Sequence, residues 1–136
     1  YMEGAVLKSN MVNPGKDCAT SYTVDEIAVA NLQVFRRCFP TAMVTANFLS
    51  GGQSLEDAAA RLDAINKHKG PRDPWNLSFS WSAAIQMPLF QLCKGTGELQ
   101  LEAMGELYVK ELAIASAAAR GEWTRSGTDG DHKGKK

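Results

Sequence analysis

The stretch Trp75-Asn76-Leu77-Ser78-Phe79-Ser80 alternates large apolar side chains with small polar ones. Successive side chains of a strand leave opposite faces, so Trp75, Leu77 and Phe79 share one face and Asn76, Ser78 and Ser80 the other. An open parallel sheet packed by helices on both sides needs apolar residues on both faces. A row of small polar residues instead suits the inside of a barrel, near its active end.

Upstream of this strand the chain repeats one order twice. Residues 43–49 form a β-prone run that ends at Ser50-Gly51-Gly52, and Ser54-Leu55-Glu56-Asp57 has the pattern of a helix N-cap. Leu55, Ala58, Ala59, Leu62 and Ile65 then recur at helical spacing as a buried stripe. Earlier still, residues 1–7 read as a short apolar strand, followed by a turn-rich loop, Ser9-Asn10-Met11-Val12-Asn13-Pro14-Gly15. Thr23-Val24-Asp25-Glu26 has the capping-box form. Val24, Ile27, Ala28, Asn31, Phe35 and Cys38 predict a helix that stops before Pro40.

Downstream, a helical stretch is interrupted by Pro88, and Gly95-Thr96-Gly97 separates it from a long amphipathic helix over about residues 98–120, closed by Gly121. Beyond Trp123 the sequence turns polar and Gly-rich, which predicts a disordered tail over residues 124–136 behind one folded unit, residues 1–123. Strands alternating with helices indicate βαβ units and a parallel sheet. Three such strands do not close a barrel, although they can form part of an eight-stranded one. The chain also opens on what reads as a strand already under way, so a fragment lacking its N-terminal part is expected.

The bulk numbers exclude several classes. Fifteen Lys and Arg balance fifteen Asp and Glu, so no electrostatic footprint for nucleic acid or an acidic membrane is visible. No apolar run reaches the roughly 18 residues needed to span a bilayer. Cys18, Cys38 and Cys93 are odd in number, far apart and without histidines at metal spacing, so reduced thiols of an intracellular protein are expected rather than a disulfide or metal site.

In a (β/α) barrel, active sites are built at the C-terminal ends of the strands. Lys8, Ser50-Gly51-Gly52 and Ser80 are predicted to lie at such ends. An exposed lysine is a solvated cation, but inside a barrel, desolvation and neighbouring positive charge would free the amine that attacks a ketone. On spacing alone Lys8 is more often a lysine that ends a strand in solvent. Ser50-Gly51-Gly52 offers backbone N–H groups and a helix N-terminus to an anion, or is a plain turn using glycine for positive φ.

Taken together the segments are more specific. Glu3-Gly4, Leu7-Lys8, Asn10-Met11-Val12 and Pro14-Gly15 resemble the Schiff-base strand of class I fructose-bisphosphate aldolases, which reads L-E-G-x-x-L-K-P-N-M-V-x-P-G. Phe48-Leu49-Ser50-Gly51-Gly52-Gln53-Ser54 matches that family's F-L-S-G-G-Q-S loop, and Ala64-Ile65-Asn66-Lys67, Pro74-Trp75 and Ser78-Phe79-Ser80 match further stretches in order. The resemblance covers about residues 1–123. It implies the C-terminal part of an α/β (β/α)8 TIM barrel, namely strands six to eight plus the C-terminal helices. It further implies Lys8 as the Schiff-base residue, with Ser50, Gly51 and Gly52 on the 1-phosphate of the substrate and Ser80 lining the same side. The implied reaction is the reversible cleavage of fructose 1,6-bisphosphate to dihydroxyacetone phosphate and glyceraldehyde 3-phosphate. No metal or other cofactor is implied; the full-length protein would be a homotetramer of the cytoplasm or plastid.

The chain also departs from the family pattern. Ser9 stands where the family usually has Pro. Phe79-Ser80-Trp81-Ser82-Ala83-Ala84-Ile85-Gln86 replaces the common F-S-Y-G-R-A-L-Q, so Ala83 occupies the position of a phosphate-binding Arg and Ser82 that of a Gly. Losing one charge-assisted phosphate contact costs on the order of 1.5–3 kcal/mol of binding. The family's catalytic Asp and Glu and its second active-site lysine lie on earlier strands and are absent from this chain. Two further readings stay open: a catalytically impaired aldolase-like protein that binds sugar phosphates or protein partners, and a half-barrel completed by oligomerisation.

Overall fold

The computed structural model describes residues 1–95 and 97–125. Most of the expected tail, residues 126–136, lies outside the described residues. The elements run β1 (Val6–Ser9), α1 (Val24–Cys38), β2 (Thr45–Phe48), α2 (Leu55–Lys67), β3 (Asn76–Phe79), α3 (Ala83–Leu92) and α4 (Leu101–Ala119). The strands form one parallel sheet in the order β1-β2-β3. The α/β alternation read from the sequence is therefore present.

Local chemistry sets the helix ends. At α1, Thr23 accepts from the Glu26 N–H at 3.2 Å while the Thr23 N–H donates to Glu26 Oε2 at 2.8 Å, a complete capping box. At α2, Ser54 Oγ accepts from the Asp57 N–H at 3.1 Å. The chain leaves α4 through Gly121 at φ 70°, with the Gly121 N–H bonded to Ala118 O and the Glu122 N–H to Ala117 O. This 5→2 and 6→1 pair is a Schellman ending, and the positive φ requires glycine there.

The helices lie against one face of the sheet. Ala46, Phe48 and Leu77 are fully buried beneath Ala28, Leu32 and Phe35 of α1 and Ala58, Ala59, Leu62 and Ile65 of α2, with Ala115 and Ala118 of α4 closing the side. Trp75 sits against Phe35 and Phe39, with ring centroids 5.7 and 5.5 Å apart, and donates from its indole to Pro40 O at 3.1 Å. Beside it Arg36 grips Asp73 through two bonds of 2.7 and 2.6 Å. That guanidinium holds the Asp73 carboxyl below the usual carboxylate range.

Several boundaries differ from the sequence reading. Residues 1–5 are not strand: the Ala5 N–H bonds to Met2 O at 3.0 Å in a turn, and β1 starts only at Val6, where β2 supplies a partner. Lys8 is consequently the third residue of β1 rather than its end. The β2 run is shorter than residues 43–49, because pairing with β1 and β3 covers only Thr45–Phe48. The last helix begins at Leu101, not at residue 98. Its apolar residues are not all inward: Leu101 and Val109 are exposed, while Ala115, Ala118 and Glu111 are buried.

Candidate active site

Register decides which side chains share the uncovered face. Lys8 pairs with Asn47 and Asn47 with Ser78, and one row below, Val6 pairs with Thr45 and Thr45 with Asn76. In-register residues of parallel strands leave the same face. Because Ala46, Phe48 and Leu77 point into the helices, Lys8, Asn47, Ser78, Thr45 and Asn76 leave the opposite side. Lys8 is exposed there, while Asn47 and Ser78 are half-buried. The polar row read from the third strand thus continues across all three strands.

At the C-terminal ends of the strands the ladder extends one residue. The Leu49 N–H bonds to Ser9 O at 2.8 Å and the Ser80 N–H to Phe48 O at 2.9 Å. Ser50 and Ser80 therefore both follow directly on paired backbone. Ser50 is buried, and the Gln53 N–H returns to Ser50 O at 3.0 Å. Gly51 and Gly52 lie between them at φ 57° and 78°, so the turn demands positive φ twice. A side chain at Gly51 would meet Asn10 Oδ1 at 2.8 Å, whereas nothing lies within 4 Å of one at Gly52. The loops after β1 and β2 thus touch at Asn10 and Gly51, and Gly52 faces open space.

The surroundings fix these loops. Gln53 donates from its amide to Ser50 O at 2.8 Å and accepts from Arg61 Nη1 at 2.6 Å. Asn31, fully buried in α1, accepts from the Val12 N–H at 2.8 Å and donates to Val12 O at 3.0 Å and Ile27 O at 2.8 Å. It clamps the segment that follows Lys8. In the sequence Asn31 stands only as part of a helical stripe, and its polarity at a buried position is the available signal. Asn10, Gln53, Arg61 and Asn47 carried no such mark.

The same end of β3 opens into α3. An open groove of about 500 Å³ runs between the start of α2 and α3, lined by Gln53, Ser54, Leu55, Ala83, Met87 and Gln91. Among the described residues no group of three or more His, Cys, Asp or Glu could hold a metal ion, and no helix is long and apolar enough to cross a membrane. Cys18, Cys38 and Cys93 are not joined in disulfides.

Comparison with known proteins accords with this geometry. A family model described as class-I fructose-bisphosphate aldolase matches residues 1–136. The chain belongs to the class I fructose-bisphosphate aldolase family. It is 42% identical over 130 residues to fructose-bisphosphate aldolase C of Pan troglodytes, a match covering 96% of this chain and 35% of that protein. Aldolase C-A of Danio rerio is 40% identical over 127 residues, covering 93% and 34%. Among solved structures, Plasmodium falciparum aldolase, crystallised in complex with TRAP and a small molecule inhibitor, superposes with a TM-score of 0.80 at 31% identity. That match covers 91% of this chain and 35% of the other. The chain therefore spans about 35% of the length of the relatives it matches, and it corresponds to the C-terminal portion of an aldolase.

Two of the departures from the aldolase pattern, Ser82 and Ala83, lie together at one helix end. Ser82 is the N-cap of α3 but makes no side-chain capping bond, and Ala83, exposed, is the first helical residue. Ala83 and Ala84 of that first turn line the groove, opposite Gln53 and Ser54, which follow the Gly51-Gly52 turn.

Proposed function

We propose that the protein carrying this chain cleaves fructose 1,6-bisphosphate reversibly to dihydroxyacetone phosphate and glyceraldehyde 3-phosphate through a Schiff base on Lys8. The observation that carries the reading is the placement of Lys8. In the three paired strands it is the one charged side chain on the uncovered face, a strand away from the Gly51-Gly52 loop. Family membership supports the same reaction.

In this reading the chain supplies strands six, seven and eight of an eight-stranded barrel, with residues 1–123 as its folded part. The remaining strands close over the uncovered face. That closure desolvates Lys8, which favours the free amine. The amine attacks the C2 ketone of the substrate, and the carbinolamine loses water to give an iminium. The iminium accepts the electron pair of the C3–C4 bond as the C4 hydroxyl loses its proton and leaves as an aldehyde. The resulting enamine is protonated at C3, and water then hydrolyses the imine to free dihydroxyacetone phosphate and Lys8. Because the iminium is the electron sink, no metal ion is needed. Proton transfer falls to carboxylates on strands outside this chain.

Ser50, Gly51 and Gly52 hold the 1-phosphate, with Ser80 on the same side. The open space at Gly52 and the N-terminus of α2 favour an anion there. Arg125, 3.5 Å from Glu56 and 3.7 Å from Asp57, offsets the two carboxylates of that first turn. The assembled protein is a homo-oligomer, a tetramer by likeness to its family, in the cytoplasm or a plastid.

One observation favours a second reading. Ala83 brings no cation to the groove where the family pattern has Arg, which fits an aldolase-like protein that binds sugar phosphates without efficient turnover. A coupled assay of the full-length protein separates the two. Cleavage of fructose 1,6-bisphosphate that Lys8→Arg lowers at least 1000-fold supports the enzyme; binding without cleavage supports the alternative.

A further inference from the structure

Asn47 occupies the centre of the central strand and lies between Lys8 and Ser78 in one row. Asparagine is depleted in strands, because its side chain competes for backbone bonds and packs poorly on a pleated surface. The fold offers it no compensation: among the described residues no hydrogen bond to the Asn47 amide is present, and the half-buried side chain contributes nothing to the core. A residue that breaks a local rule without a structural return marks a functional position. Its neighbours define that function. The Lys8 side chain leaves the same face from the adjacent strand, about 4.8 Å away. Val6, Thr45, Asn76 and Ser78, the rest of that face in the paired strands, carry no charge.

We infer that Asn47 is a positioning residue for Lys8, its amide oxygen accepting a hydrogen bond from the Lys8 amine and aiming it at the substrate ketone; this rests on the Schiff-base reading above. The choice of amide over carboxylate follows from the chemistry. An aspartate at this place would hold Lys8 by charge and so stabilise the ammonium, which is not a nucleophile. A neutral acceptor orients the same nitrogen while leaving it free to lose its proton. An aliphatic side chain would leave the flexible lysine stem without direction.

The test is the rate at which the full-length protein becomes covalently reduced by borohydride in the presence of dihydroxyacetone phosphate, followed across pH for wild type, Asn47→Leu and Asn47→Asp. Circular dichroism and melting would verify that each variant is folded. The inference expects Asn47→Leu to trap about tenfold more slowly at every pH. It expects Asn47→Asp to move the rising limb of the profile upward by about one pH unit. Wild-type rates and profiles in both variants would overturn it, as would equal slowing of both with no displacement of the limb. If wild type itself is not trapped, the Schiff-base reading fails and this inference falls with it. Trapping of wild type with indifferent variants removes this inference alone.

Discussion

Gly51 and Gly52 look interchangeable in sequence but are under different constraints. Both sit at positive φ, which an L side chain adopts at a cost of about 1–2 kcal/mol. Only Gly51 is also pressed against another loop, where an added Cβ would approach Asn10 Oδ1 to 2.8 Å. Gly51→Ala should therefore destabilise the protein by about 2–3 kcal/mol, and Gly52→Ala by about 1 kcal/mol. If the proposed phosphate site is right, both should also raise KM for fructose 1,6-bisphosphate in the full-length protein. The added strain at Gly51 should be partly relieved in a Gly51→Ala, Asn10→Ala double variant. Denaturant titration of the four proteins measures this; equal stability of the two single variants would contradict it.

At the scale of elements, what could be read in the sequence was what neighbouring residues decide among themselves. Thr23 with Glu26, Ser54 with Asp57 and Gly121 behind α4 each complete a helix end within a few residues, and each was legible. Strand limits were not, because they depend on a partner: residues 1–5 are apolar enough for strand but have nothing to pair with, while Ser9 is paired by β2. The contacts Asn10–Gly51 and Asn31–Val12 bridge distant parts of the chain, so no local pattern announces them. Lys8 and the Ser50-Gly51-Gly52 loop were legible only as parts of a longer pattern. The burial of Glu111 in α4 was also unreadable. This residue is 5% exposed and its Oε2 has no partner among the described residues. Desolvation pushes its carboxyl above the ordinary range. A group whose folded pKa is raised supports the fold below its ordinary pKa, and that support is lost as pH rises through the raised value. Glu111→Gln should accordingly stabilise the protein at pH 7 by about 1–2 kcal/mol. The gain should vanish below about pH 4. Paired melts at pH 7 and pH 4 check this, and a variant less stable at pH 7 would show that Glu111 holds a partner.

Among the described residues, helices cover the sheet on one side. Parallel sheets are ordinarily buried on both faces or closed into barrels, yet among the described residues the face with Lys8, Thr45, Asn47, Asn76 and Ser78 carries no layer, and β1 and β3 each keep an unpaired edge. Val6 and Leu7 on β1 are 59% and 38% exposed. Open apolar edges recruit other chains. The 136-residue chain expressed alone should self-associate, as light scattering would reveal, whereas a soluble monomer with a cooperative melt would contradict the open-sheet account. In the proposed closed barrel the same polar face would become the interior, with Lys8 on it. The most direct measurement is therefore to incubate the full-length protein with dihydroxyacetone phosphate and borohydride and map the adduct by mass spectrometry. A single reduced adduct on Lys8 is expected; labelling absent from Lys8, with other lysines modified only at background, would contradict the Schiff-base role.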